Sequence, residues 1–260
     1  MPEISVVINV DTRPQRDEQT GLFNGVCNED FLTDGVYNKI KFFESFDIET
    51  IVFIDEHLPV SGETLAYLMK TCDTVVIRKH TSEPLFNDNN YLSALSLARG
   101  KYVAHFDQDT ACFTPDRGPV EQMISWLEHW DYVSYPSHWS PKPVHDDSFD
   151  HVWVSTRFFM CKRETLDFTE LRWMMADYER CYAKYPATRR CFWTEHWLGL
   201  IARDRGKGVF YPAIDGTYLI FSWGKYEQWL LKRLNEYSYQ KVVDWVNSKG
   251  GIGYPNDVNA

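Results

Sequence analysis

One stretch of the sequence decides the fold: Ala98-Arg-Gly-Lys-Tyr-Val-Ala-His-Phe-Asp-Gln-Asp-Thr-Ala-Cys112. Its short apolar strand, residues 102–106, runs directly into Asp107-Gln108-Asp109. Because side chains alternate faces along a strand, two carboxylates one residue apart lie close together where the strand ends. Carboxylate oxygens suit Mg²⁺ or Mn²⁺, and a cation held by two carboxylates keeps open positions for a diphosphate. An isolated pair of this kind is more often an Asp-rich turn, so the rest of the chain decides between the two interpretations.

The composition is that of a globular protein and argues against several kinds of partner. The chain has 260 residues and a formal net charge of −10, so we expect no nucleic-acid binding and no adhesion to an anionic membrane. Aromatic residues make up 16% of the chain, which favours a carbohydrate or nucleotide ligand because flat rings stack on both. No apolar run approaches the roughly 20 residues of a transmembrane segment, and no basic leader pattern is visible. We therefore expect a cytoplasmic location.

The first half of the chain alternates strands with helices. Apolar, β-branched runs predict strands, and apolar residues at helical spacing predict helices between them, the last over 90–99 with Gly100 as its stop. The predicted strands are 4–10, 50–54, 74–77 and 102–106. This alternation predicts a doubly wound α/β sheet, which binds ligands at the carboxyl ends of its strands. Polar clusters follow three of the strands, at 11–14, 55–57 and 107–109. Their shared edge predicts a site.

The second half is less regular. We expect residues 1–115 and residues 116–260 to form two halves of the same single domain. A loop over 136–151 carries three histidines near acidic residues. Its composition favours a mobile acceptor loop over a metal cluster. The tail, residues 226–246, has the spacing of an aromatic, amphipathic helix.

Four segments together resemble a known family: Val6–Pro14, Ile51–Asp55, Asn90–Asp109 and Trp193–Pro212. In order and spacing they are similar to the GT-A-fold glycosyltransferases that use nucleotide-sugar donors, most closely the large group of inverting polysaccharide transferases. The resemblance covers most of the chain. It implies a GT-A (Rossmann-like) mixed sheet flanked by helices, with a helical acceptor-side region at the carboxyl end. It further implies that residues 1–115 are the nucleotide-sugar-binding half and residues 116–260 the acceptor-binding half. It also implies transfer of a sugar from a UDP- or GDP-linked donor to a glycan or another hydroxyl acceptor.

The resemblance also implies roles for particular residues. Asp107 and Asp109 would hold Mn²⁺ or Mg²⁺, and Glu195 falls where the family places its catalytic carboxylate. As a residue at a helix start, Glu195 has a second interpretation, a carboxylate that stabilises the helix dipole. The predicted nucleotide and donor contacts are Asp11, Thr12, Arg13, Asp55, Asn90 and Asp107.

Weaker predictions concern the acceptor and the sugar. Trp193, His196 and Trp223 are candidate acceptor contacts. Arg99 is a candidate support for the sugar or the loop, and a core or surface role is equally open to it. The chain departs from the family in three places. Thr194-Glu195 stands where an acidic pair is usual, and Asp55-Glu56 stands where the family has two aspartates after the second strand. The segment 220–224 carries no late histidine of the kind that many relatives use as a metal ligand.

Three other functions compete with an inverting glycosyltransferase. A retaining transferase of the same fold would not use Glu195 as a base. A sugar-1-phosphate nucleotidyltransferase would normally carry a glycine-rich, basic loop after the first strand, whereas residues 11–14 contain no glycine. A non-catalytic carbohydrate-binding protein is favoured by the tryptophan content, but the intact carboxylate pair argues against it.

Overall fold

The fold is known here from a computed structural model, which describes a defined part of the chain. The described residues are 1–12, 32–79, 86–108, 110–113, 117–134, 154, 158–168, 183, 198–199, 201–202, 207–210 and 218–221. The predicted loop over 136–151 and tail helix over 226–246 lie outside them. Among the described residues, no helix has both the length and the apolar character needed to cross a membrane.

Seven strands of the described residues form one mixed sheet. Its parallel strands are β1 (Ile4–Asp11), β2 (Ile48–Glu56), β3 (Thr74–Lys79) and β4 (Tyr102–Asp107). Beyond β4 the sheet continues with β7 (Phe158–Lys162), β6 (Tyr132–Ser134) and β8 (Val209–Phe210), and β7 is antiparallel to both neighbours. The full order is β3-β2-β1-β4-β7-β6-β8. A separate pair joins β5 (Thr110–Phe113) to β9 (Tyr218–Phe221). The expected α/β mixed sheet is confirmed.

Helices pack against this sheet. They are α1 (Asp34–Phe42), α2 (Gly62–Thr71), α3 (Phe86–Ser96) and α4 (Gly118–Trp126). Ser61 caps the start of α2, because its hydroxyl accepts a hydrogen bond from the Thr64 N–H at 3.2 Å.

Both faces of β1 are buried, which explains its uninterrupted apolar run. Val6 and Ile8 belong to one hydrophobic cluster, with Phe43 of the segment after α1 and Leu68 of α2. Val7 faces the other cluster, which includes residues of β2 and α3. A central parallel strand covered on both faces has this composition.

The predicted helix over 90–99 is shifted, because α3 spans Phe86–Ser96 and ends before Gly100. Gly100 lies against the backbone of β1, where a β-carbon would come within 2.6 Å of the Ser5 nitrogen and 2.8 Å of the Ile4 carbonyl carbon. The glycine is therefore required for the close approach of two chain segments, and the prediction that it stops the helix is wrong.

Candidate functional site

The carboxyl edge of the parallel strands brings three predicted acidic residues together. The pairing of β1 with β2 places Asp11 beside Asp55, and the pairing of β1 with β4 places Asn9 beside Asp107. Asp55 is buried, whereas Asp11 and Asp107 are partly exposed. The expectation that these clusters meet at one edge of the sheet is confirmed.

Thr12 fastens the chain after β1 to the chain after β2. The Thr12 side chain is buried, and its hydroxyl accepts hydrogen bonds from the N–H groups of His57 (2.9 Å) and Leu58 (3.0 Å). The same oxygen lies 2.9 Å from the Leu58 carbonyl, to which it donates. Its hydroxyl therefore holds the 56–58 turn in place. A role for Thr12 in nucleotide binding stays a prediction.

His57 lies between two of the acidic side chains. Its Nε2 is 3.3 Å from Asp11 Oδ1 and 3.6 Å from Asp55 Oδ2. Among the described residues, these three offer ligand atoms that all lie within 4.8 Å of one another, a spacing that could hold a metal ion. A protonated imidazole bridging two carboxylates fits the same distances. The arrangement concentrates ionisable groups at the edge of the sheet where nucleotides bind in this class of fold.

Asp107 is oriented by a tyrosine from α3. The Tyr91 hydroxyl donates a hydrogen bond to Asp107 Oδ1 at 3.0 Å. The Tyr91 ring lies 5.3 Å from the ring of His105, which is fully buried in β4 and stacks on Phe159 at 5.1 Å. Asn9 Nδ2 lies 2.9 Å from His105 Nε2. A buried aromatic stack thus fixes the side chain that contacts Asp107.

Gln108, between the two predicted metal ligands, contacts two other elements. Its Oε1 accepts a hydrogen bond from the Asp11 N–H at 2.6 Å. Its carbonyl accepts one from Lys39 Nζ of α1 at 3.1 Å, and Lys39 also donates to the Gly35 carbonyl at 3.2 Å. Lys39 is fully buried. Because a buried ammonium is strongly destabilising without hydrogen bonds, these carbonyls are part of what allows it to lie there.

Several predicted site residues lie outside the described part of the chain. They are Arg13, Asp109, Trp193, Glu195, His196 and Trp223. For Asn90 the structure gives the backbone, within α3. The roles predicted for all of these residues stay predictions.

Of the two roles left open for Arg99, the structure favours the surface one, because Arg99 lies at the edge of the sheet opposite to Asp11, Asp55 and Asp107. Its guanidinium contacts Glu49, near the start of β2, through Nε and Nη2 at 2.5 Å each. The Ser5 hydroxyl donates to Glu49 Oε2 at 2.7 Å and accepts from the Gly100 N–H at 2.7 Å. Burial disfavours the charged form of Glu49, but the hydrogen bonds from Ser5 and Arg99 outweigh it and lower the Glu49 pKa below its usual value.

Four residues of this region were not singled out from the sequence: Lys39, His57, Tyr91 and Gln108. Lys39 left a signal, since it falls on the apolar stripe of α1 with Val36 and Phe43, where a lysine is unexpected. His57 lies in the polar cluster after β2, but its position between two carboxylates depends on the hydrogen bonds between the Thr12 hydroxyl and the 56–58 turn. Tyr91 and Gln108 carried no comparable signal.

Comparisons with known proteins identify the fold. No family model matches the chain, and neither does any curated protein. A Bacillus anthracis protein assigned as a glucose-1-phosphate thymidylyltransferase, solved with sucrose, has a TM-score of 0.54 at 10% identity, over 89% of this chain and 94% of that one. HddC from Yersinia pseudotuberculosis has a TM-score of 0.50 at 11% identity, over 88% and 97%. The chain shares the mixed α/β sheet fold of these two structures. At these identities the likeness extends to the fold alone.

A glycosyltransferase also appears among the matched structures. The mannosyltransferase PcManGT from Pyrobaculum calidifontis, solved with GDP-mannose and Mn²⁺, has a TM-score of 0.40 at 17% identity. The match covers 63% of this chain and 45% of the mannosyltransferase, so the chain spans less than half of that protein's length.

Proposed function

We propose that the protein is a metal-dependent glycosyltransferase that moves a sugar from a nucleoside-diphosphate donor to a hydroxyl of a glycan or related acceptor. The observation that carries the proposal is the convergence of Asp11, Asp55 and Asp107 at the carboxyl edge of three neighbouring parallel strands. This is where sheets of this class bind nucleotides. The strand that ends in Asp107 also carries the Asp-Gln-Asp sequence that resembles the glycosyltransferase family.

The proposed metal ligands suit a divalent cation. Asp107 presents a partly exposed carboxylate at the edge, oriented by Tyr91. We assign Asp107 and Asp109 to Mn²⁺ or Mg²⁺, because carboxylate oxygens are the ligands that these ions prefer. When bound, such an ion neutralises the negative charge that develops on the leaving diphosphate.

Side chains of the protein would deprotonate the acceptor and bind the nucleotide. In the inverting form, the acceptor oxygen bonds to the anomeric carbon as the bond from that carbon to the diphosphate oxygen breaks. The acceptor proton passes to the Glu195 carboxylate, acting as general base. Asp55 would accept a hydrogen bond from a base N–H, and Asp11 with Arg13 would border the nucleotide.

The experiment is a donor screen with product analysis. UDP-, GDP-, CDP- and dTDP-sugars are incubated with Mn²⁺ and a panel of glycan acceptors, and the released nucleoside diphosphate is measured. The proposal predicts release that depends on acceptor and metal. NMR of the product anomer distinguishes inversion from retention. Release of pyrophosphate from a nucleoside triphosphate and a sugar 1-phosphate would instead identify a nucleotidyltransferase and overturn the proposal.

Two variants test where the cation binds. His57→Gln changes the Asp11–Asp55–His57 group and keeps the Asp-Gln-Asp sequence, whereas Asp107→Asn does the opposite. The proposal predicts that Asp107→Asn abolishes the metal dependence of nucleotide binding and that His57→Gln keeps it. The reverse result would move the cation to the group around His57.

A further inference from the structure

The acidic turn after β4 is attached to three other elements of the fold. β1 contributes the Asp11 N–H to Gln108 Oε1, α1 contributes Lys39 Nζ to the Gln108 carbonyl, and α3 contributes the Tyr91 hydroxyl to Asp107 Oδ1. These contacts come from segments far apart in sequence. The conformation of the turn is therefore set by tertiary structure.

A side-chain hydrogen bond of Gln108 joins β1 to the turn after β4 beyond the point where the two strands stop pairing. The last paired residues of these strands are Asn9 and Asp107, so the ladder does not reach Asp11 on that side. The Gln108 side-chain carbonyl accepts from the Asp11 N–H at 2.6 Å and thereby continues the contact between the two chain segments. Through this bond, the turn that carries the predicted metal ligands is fixed to the strand end that borders the predicted nucleotide pocket.

Tyr91 restricts the carboxylate of Asp107. A hydrogen bond to one oxygen of a carboxylate limits rotation about its terminal torsion, which is otherwise soft. Because Tyr91 lies against His105, and His105 is fully buried and stacked on Phe159, the hydroxyl has a defined position. Groups that orient metal ligands in this way typically change metal affinity by about 10- to 100-fold when they are removed.

We propose that Tyr91 and Gln108 are positioning residues of the site. Tyr91 sets the orientation in which Asp107 meets the cation, and Gln108 couples the acidic turn to the Asp11 edge of the nucleotide pocket. This inference rests on the proposed function, because it assigns the Asp107 turn to a divalent cation. It adds that Gln108, between Asp107 and Asp109, couples metal binding to nucleotide binding.

The test uses Tyr91→Phe and Gln108→Leu, with Tyr37→Phe and Gln122→Leu as matched controls on exposed positions of α1 and α4. Mn²⁺ affinity is measured by electron paramagnetic resonance titration, and affinity for UDP and GDP by calorimetry with and without Mn²⁺. We expect Tyr91→Phe to weaken Mn²⁺ binding about 10-fold. We expect Gln108→Leu to weaken both Mn²⁺ and nucleotide binding, whereas the controls bind like the wild type.

Kinetics provide a second readout that a purely structural role would not produce. With the donor identified, Tyr91→Phe is expected to raise the Mn²⁺ concentration needed for half-maximal rate by about the same factor, and saturating Mn²⁺ should restore kcat. Wild-type protein that binds Mn²⁺ and nucleotide, with both variants unchanged, would overturn the positioning roles alone. Wild-type protein that binds no Mn²⁺ would overturn the proposed function and this inference with it. If Gln108→Leu does not fold, Tyr91→Phe carries the test.

Discussion

Glu49 and Arg99 form an ion pair at the edge of the sheet opposite to the one that carries Asp11, Asp55 and Asp107. The Glu49 side chain is 3% exposed and that of Arg99 is 68% exposed, so the pair closes a buried carboxylate with a surface cation. Ser5 and the Arg99 N–H add hydrogen bonds to the same carboxylate. The stability of this edge can therefore be changed without touching the candidate site.

We predict that Glu49→Gln destabilises the protein by about 1.5 to 3 kcal/mol at neutral pH, because it removes the charge from the hydrogen bonds with Ser5 and Arg99. Urea unfolding measures the free energy. Glu44→Gln is the matched control, since Glu44 pairs with Lys41 on an exposed surface where such pairs contribute little. Equal effects of the two substitutions would contradict the assignment.

The same carboxylate predicts a pH dependence. The Glu49 pKa is lowered in the folded state, so below its usual value of 4.5 the unfolded chain binds the proton first. Its contribution to stability is therefore complete above that pH and is lost as the pH falls through the folded-state pKa. The difference in free energy of unfolding between the wild type and Glu49→Gln should shrink in acid. A difference independent of pH would refute this prediction.

Gly100→Ala should destabilise the protein by about 1 to 3 kcal/mol, because the added carbon meets the backbone of β1 at Ser5 and Ile4. Backbone of a central strand cannot move aside as a flexible side chain can. Gly62→Ala is the control: Gly62 is the first residue of α2, a β-carbon there meets nothing within 4 Å, and we expect no loss of stability. A neutral effect of Gly100→Ala on thermal unfolding would contradict the observed close approach.

Thr12→Val should destabilise the turn after β2, because the N–H groups of His57 and Leu58 lose their shared acceptor. Both hydrogen bonds are partly buried, so each lost acceptor should destabilise the protein by about 1 kcal/mol, the low end of the range for an unsatisfied buried donor. Hydrogen exchange of these two amides measures the effect locally. Thr71→Val, whose hydroxyl donates to the Tyr67 carbonyl within α2, should leave both amides protected as before.

Glu195→Gln should lower kcat by on the order of 10² to 10⁴, the usual contribution of a general base, while nucleotide affinity stays near the wild-type value. Glu63→Gln on the exposed surface of α2 is the control. Stopped-assay kinetics and calorimetry separate the two quantities. Lost nucleotide affinity would make Glu195 a binding residue, and unchanged kcat would favour the retaining mechanism.

The sequence was sufficient to predict the parallel half of the sheet. The run over 4–10 is apolar at every position except Ser5 and Asn9, and a strand buried on both faces needs that composition. Since the carboxyl ends of parallel strands lie at one edge of a sheet, the meeting of Asp11, Asp55 and Asp107 followed from the predicted parallel sheet. Local pattern and topology agree in this part of the chain.

The tertiary contacts could not be predicted in the same way. The sequence around Arg99 does not distinguish a residue that contacts the sugar from one that pairs with Glu49. The pairing depends on the path of the chain from the end of α3 to the start of β4. Gln108 is the middle residue of Asp-Gln-Asp, and nothing in the sequence indicates a role for it. Its hydrogen bond with the Asp11 N–H forms because the pairing of β1 with β4 ends at Asn9 and does not reach that N–H. Such roles arise from chain segments that are distant in sequence.

We propose that the Asp107 turn binds a divalent cation together with a nucleoside diphosphate. The most direct measurement is thermal unfolding with UDP, GDP, CDP or dTDP, each with Mn²⁺, Mg²⁺ or EDTA, in the wild type and in Asp107→Asn. At about 100 times its Kd, a ligand adds about 2.7 kcal/mol of stability and should raise Tm by about 5 °C or more. We predict that one nucleotide does so with metal only, and that Asp107→Asn, although folded, does not respond. No metal-dependent shift with any nucleotide, or an equal shift in Asp107→Asn, would contradict the claim.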